Sequence, residues 1–110
     1  MSKARQKGTA WESELLPKLR DLFGQQVERA PLRGVNDKGD FVGVPWLHEA
    51  KHVAVPRFQE WARTAAKKNV DWTVIWKGDA RKTGQGPYVL MPLHLYEALV
   101  SRDQSGRTLE

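Results

Sequence analysis

Asp40, Glu49 and Lys51 are the residues of this chain whose types and spacing could do chemistry together. Carboxylate oxygens suit a hard cation such as Mg2+ or Mn2+ rather than zinc. A lysine beside them is placed to hold a water or a phosphate oxygen. The run 46–53 reads as a strand, whose side chains alternate between faces. Glu49 and Lys51 are two apart and therefore share a face. The segment 40–44 reads as the strand before it. A tight return at Gly43-Val44-Pro45 is expected to bring Asp40 back beside Glu49 and Lys51. The same residue types also compose ordinary solvated salt-bridge faces, and short motifs recur by chance. The elements around the patch therefore matter.

Residues 1–8 read as a flexible basic arm carrying Lys3, Arg5 and Lys7. Thr9 followed three residues later by Glu12 is a capping-box pattern, which starts a helix at residue 9. That helix runs to Phe23 and stops at Gly24, a residue suited to the position after a helix end. Trp11, Leu15, Leu16, Leu19, Leu22 and Phe23 fall on one stripe at helical spacing. Glu12 falls within that stripe and Glu14 on the far side. An inward carboxylate needs a partner, so Glu12 is either a cap or part of the carboxylate site. Pro17 removes a helix hydrogen bond and predicts a kink or a late start.

A short strand follows over 26–30, then a turn-rich loop over 31–39. Pro56 opens a second helix, with Phe58, Trp61, Ala62, Ala65 and Ala66 as its packing stripe. Its Arg57, Arg63, Lys67 and Lys68 read as a solvated face. The apolar run 72–76 reads as a buried strand. Residues 77–87 form a glycine-containing loop bearing Lys77, Arg81 and Lys82, 88–91 a returning strand and 92–100 a closing helix. His48 and His52 alternate to the face opposite Glu49 and read as structural or phosphate-contacting, and His94 falls in the last helix. The order helix, three strands, helix, two strands, helix predicts a single α/β domain over 9–101, a central mixed sheet flanked by helices, with a polar tail at 102–110.

One domain fits 110 residues, of which 40% are hydrophobic. No cysteine is present, which excludes disulfides and thiolate zinc and fits a reducing, cytoplasmic interior. No apolar run approaches the roughly 20 residues of a membrane span. The basic N-terminal residues are followed by no apolar segment, so they do not read as a secretory signal. The net charge of +5 favours a polyanionic partner. Gly84-x-Gly86 lacks the strand-to-helix setting of a dinucleotide site.

Lys7-Gly8-x-x-x-Glu12 leading into the first helix, Arg29 ending the first strand, Gly34, then Gly39-Asp40-Phe41 and Glu49-Ala50-Lys51 occur in that order. This pattern resembles the PD-(D/E)XK nuclease superfamily, and within it the small Holliday junction resolvases of archaeal and phage type. The resemblance spans residues 7 to about 100 and rests on order and spacing rather than on one motif. It implies a restriction-endonuclease-like fold and metal-dependent cleavage of DNA phosphodiesters, with branched DNA as substrate and a two-fold homodimer as the assembly. It also implies that Glu12, Asp40 and Glu49 are Mg2+ (or Mn2+) ligands and that Lys51 stands beside the attacking water. The chain has Gly-Asp where the family pattern has Pro-Asp, and Asp37 is a nearby competitor for the ligand position. Lys3, Arg5, Lys7, Arg29, Arg33, Lys77, Arg81 and Lys82 are the expected contacts to DNA phosphates.

Overall fold

The run Trp72-Thr73-Val74-Ile75-Trp76 has β-branched and aromatic residues throughout and no polar face, which suits a strand covered on both sides. It is buried along its whole length and forms the middle strand of the larger sheet. The computed structural model describes residues 3–31, 39–79 and 86–105, with the side chains of 3–6 and 104–105 outside the description. In chain order the elements are α1 (Lys3–Phe23), β1 (Glu28–Arg29), β2 (Phe41–Val42), β3 (Leu47–Lys51), α2 (Phe58–Lys68), β4 (Trp72–Trp76), β5 (Tyr88–Leu90) and α3 (Leu93–Ser105). This is the expected order, and the chain is an α/β domain.

β3 and β4 pair in parallel, joined through α2, with Glu49 opposite Val74 and Lys51 opposite Trp76. β5 returns antiparallel on the far side of β4. β1 and β2 form a separate antiparallel ladder, so the mixed sheet comprises three strands, with a two-stranded ribbon at its β3 edge. A single parallel bridge between Gly39 and His48 connects the two.

Strand alternation distributes the core into two layers. Ala50 and Ile75 face α1, where they meet Trp11, Leu15 and Leu19 together with Val27 and Phe41 of the ribbon. Leu47, Trp72, Val74 and Trp76 face α2, where they meet Trp61 and Ala65. Three indole N–H groups tie the layers to the chain. Trp11 donates to the Ile75 carbonyl at 3.0 Å, Trp46 to the Thr73 hydroxyl at 2.8 Å and Trp76 to the Val53 carbonyl at 2.7 Å.

Several boundaries differ from those the sequence predicts. α1 begins at Lys3, not at residue 9, so 3–8 are helical rather than an arm. Thr9 lies inside the helix, where its carbonyl accepts the Ser13 hydroxyl at 3.1 Å, and it caps nothing. Pro17 is accommodated within α1. Leu22, expected on the packing stripe, is 72% exposed because the core ends at Leu19 and Phe23. α3 runs on to Ser105, beyond the expected end at residue 100.

Trp11 carries the attachment of α1 to the sheet, being buried and bonded to β4. Replacing it with alanine removes that burial and leaves a cavity. Trp11→Ala should lower the unfolding free energy by about 3–5 kcal/mol, measured by denaturant titration with the slope of the transition compared to wild type.

Candidate metal centre

Two glycines set the backbone of the ribbon. Gly39 has φ +94°, and a Cβ there would stand 2.5 Å from the His48 carbonyl oxygen. Gly43 has φ +79°, and a Cβ there would collide with the Gln26 carbonyl oxygen. Any other residue would be strained at both and would push β2 away from its neighbours. With glycine at these places the chain passes close to β3, and the Asp40 N–H donates to the His48 carbonyl at 2.8 Å. The ladder then continues through a side chain. Ala50 N–H donates to Asp40 Oδ2 at 2.7 Å.

That bond places the Asp40 carboxyl group against β3, where it and the Glu49 carboxyl group act on each other electrostatically. Burial is the largest influence on both groups and raises both from their ordinary values. The Asp40 charge adds to this at Glu49, against the opposing pull of Lys68, and Glu49 is pushed up to about 6. At Asp40 the Ala50 N–H and the Lys51 charge act downward, while Glu12 acts upward. The structure therefore brings Glu12, Glu49 and Lys51 within electrostatic reach of Asp40. The connection is a parallel bridge rather than the expected hairpin return. Asp37 lies outside the described residues.

Glu12 faces inward but is taken by Arg29, whose Nε and Nη2 donate to Glu12 Oε1 at 3.2 and 3.1 Å. Its role in the structure is thus an ion pair rather than a cap. Glu49 Oε1 accepts from Lys68 Nζ at 2.5 Å, with the carboxylate side chain 9% exposed. Among the described residues, no three carboxylate or imidazole groups converge as a ready-made ligand set. The chemistry of the donor set nevertheless fits a divalent cation at the Asp40–Glu49 pair. Two neighbouring desolvated carboxyl groups repel when both are ionised, and a divalent ion between them would turn that repulsion into attraction. Glu12 could join only if Arg29 released it.

Lys68 is the site residue that the sequence reading missed by placing it on the solvated face of α2. Its signal was present. Trp61, Ala65 and Lys68 recur at i, i+4 and i+7, and the first two are buried. Helical spacing therefore puts Lys68 on the inward stripe. Lys67, one position earlier, is exposed.

Each histidine has a partner within the fold. His48 is buried, which lowers its pKa, and its Nδ1 donates to the Trp46 carbonyl at 2.8 Å. Its ring stacks on Trp46 and meets Phe23 edge-on. His52 Nδ1 donates to the Lys7 carbonyl at 3.4 Å, and His94 pairs with Asp71 at 2.8 Å. Among the expected phosphate contacts, Lys7 is exposed on the first part of α1. Arg29 is engaged by Glu12. Lys77 donates to Glu14 at 2.9 Å and lies over the Trp11 ring at 5.4 Å. Lys3 and Arg5 are helical in backbone, with their side chains outside the description. Arg33, Arg81 and Lys82 lie outside the described residues.

Comparison with family models, curated proteins and solved structures gives no match to this chain. No helix among the described residues is long and apolar enough to cross a membrane.

The raised Glu49 pKa gives a signed stability prediction for the metal-free protein. The unfolded carboxyl titrates near 4.5 and the folded one near 6. Between these values the native state binds more protons, so stability falls as pH rises. The contribution is fully present below the lower value and gone above the upper one, a change of about 2 kcal/mol. Asp40, also raised, acts in the same sense. Melting temperatures across this window should decline in wild type more steeply than in Glu49→Gln. Parallel curves would contradict the assignment.

Proposed function

We propose that this protein is a divalent-metal-dependent DNA endonuclease that cleaves branched DNA such as four-way junctions. The observation that carries this reading is the buried Asp40–Glu49 carboxyl pair, fixed to β3 by the Ala50 N–H, with Lys51 acting electrostatically on Asp40. A protein gains nothing in stability from two desolvated like charges in contact. Such a pair is typical of sites that bind a cation or move a proton. Asp40 and Glu49 would hold Mg2+ or Mn2+, with Glu12 a further ligand if Arg29 gives way. The metal, when bound, would polarise a phosphate and lower the pKa of a water. Lys51 would stabilise the negative charge that builds on the phosphate oxygens during attack. Lys7, Arg29 and the basic loop after β4 would bind backbone phosphates without reading bases. The junction preference and the two-fold dimer rest on the family resemblance, as does the choice of junctions over flaps, nicks or linear duplex.

A second reading has its own support. Glu12 and Glu49 are each ion-paired to a basic residue, which also suits a non-catalytic DNA-binding module with a structural charge network. Substitution separates the two. Under the nuclease reading, Asp40→Asn and Glu49→Gln abolish cleavage while keeping the fold and DNA binding, and Lys51→Ala slows cleavage by about 100-fold or more. Cleavage of a labelled four-way junction, with and without Mg2+, is the measurement. Metal-independent cutting, or wild-type rates in Asp40→Asn, would discard the metal site.

Glu12→Gln tests the outer carboxylate. It should lose activity as a ligand, whereas a purely structural Glu12 would lower only the melting temperature, by the loss of a partly exposed ion pair. Substrate choice needs a separate comparison at matched salt. The wild type should bind a four-way junction more tightly than duplex of the same arm sequence, as a dimer presenting two symmetric sites. Equal affinity for both, with a monomer in solution, would remove the junction reading and leave the nuclease chemistry standing.

A further inference from the structure

Lys68 touches two things at once. Its ammonium donates to Glu49 Oε1 at 2.5 Å, with the lysine side chain 21% exposed. The same residue lines a solvent-open cleft of about 490 Å3, whose remaining walls are the 41–47 turn and Asn69. Lys68 thus stands where the carboxyl pair meets an open groove on the protein surface. It approaches from the last turn of α2, where the helix dipole favours a cation and where Asn69 ends the helix with its N–H on the Ala65 carbonyl. The ammonium is held at the end of a long, flexible stem anchored near buried Ala65.

We propose that Lys68 is a resident stand-in for the metal ion, holding Glu49 until the ion arrives and then passing to a phosphate of the nucleic-acid strand in the adjacent cleft. This inference rests on the metal-dependent nuclease reading and adds a residue to it that no part of the family pattern contains. The argument is one of charge and geometry. Glu49 has few directions open to it, since it is buried and its Oε1 is already held by Lys68. A cation arriving at both carboxyl groups therefore competes with the ammonium for the same oxygen. Two carboxylates on a divalent ion are neutral as a set, and the attraction that holds the ammonium at Glu49 falls away. The nearest large space that Lys68 already borders is the cleft, and an ammonium there has a phosphate oxygen as its natural partner. Metal binding and strand binding would in this way be linked through one side chain.

The linkage makes opposite-signed effects on the two ligands, which a merely structural ion pair does not. Mn2+ binding to the metal-free full chain is measured by calorimetry, at a fixed pH above the range in which Glu49 titrates. Lys68→Met, which keeps the stem and removes the charge, should bind Mn2+ about tenfold more tightly than wild type. Lys68→Arg, which keeps the charge, should bind close to wild type. Duplex DNA binding is then followed against salt with Ca2+ present and with metal absent. Lys68→Met should lose about one phosphate contact, a change of about 0.9 in the log–log salt slope, only when Ca2+ is present. Lys68→Gln, whose amide can still donate to Glu49, repeats the comparison if the methionine variant does not fold.

Unchanged or weaker Mn2+ binding in the charge-removed variant, with wild type binding Mn2+ normally, overturns the stand-in and leaves the nuclease reading intact. An equal loss of DNA affinity with and without Ca2+ overturns the transfer of Lys68 to phosphate. Absence of Mn2+ binding in wild type overturns both this inference and the reading beneath it.

Discussion

The bond from Ala50 N–H to Asp40 Oδ2 is the constraint on which the candidate site depends. β3 is flanked by β4 on one side and, on the other, by a chain segment that reaches it through little more than one backbone bridge. An edge N–H left without an acceptor in a buried position is costly. Asp40 meets that need with its carboxylate, so an acidic group becomes part of the sheet's own hydrogen bonding. Once it is there, its distance from Glu49 is fixed by strand geometry rather than by side-chain preference. The pair is therefore built into the backbone arrangement, and the energetic cost of two neighbouring carboxyl groups is borne by the whole β2–β3 junction.

Local preferences support that arrangement from several directions. Glycine at 39 and 43 lets two stretches of main chain approach within contact distance. Leu47, His48, Glu49 and Ala50 are all buried, so β3 is enclosed on both faces although its sequence is not uniformly apolar. The polar members are accommodated individually. His48 finds a carbonyl and two aromatic neighbours, and Glu49 finds an ammonium. No buried side-chain polar atom among the described residues lacks a partner.

Much of this was legible in the sequence because it follows from periodicity. The run Trp72-Thr73-Val74-Ile75-Trp76 could hardly be anything but a covered strand, and its boundaries match. The i, i+4 stripe of Trp11, Leu15 and Leu19 identified the packing face of α1, and Glu12 was recognisable as inward because it interrupts that stripe. The start of α1 was misread because Thr9 and Glu12 imitate a cap, although nothing in 3–8 forbids helix. The ribbon of β1 and β2 was read too long, since two-residue strands carry almost no periodic signal. The pairing direction at Gly39 was not available from local pattern, because it depends on how the 43–46 connection turns in space. Lys68 was passed over for a different reason. A charged residue on an inward stripe is usually assumed to point away, yet its long stem allows the head group to travel to a buried partner.

The hydrogen bond from Trp11 to Ile75 spans 64 positions of the chain. Synthesis runs from the N-terminus, so α1 emerges long before the strand to which Trp11 is bonded exists. Trp11, Leu15 and Leu19 have only Val27, Phe41 and Ala50 to shelter them until α2 and β4 have been made. Contacts of such long sequence separation are slow to form, because the intervening loop must close before they repay its entropy. The α2 layer has no such delay, since β3, α2 and β4 are consecutive and their partners lie within one crossover. The two sides of this sheet therefore come under different demands during biosynthesis: one can condense as it appears, and the other is a debt carried by the nascent chain, open to chaperones and to other nascent chains, until its last creditor strand arrives.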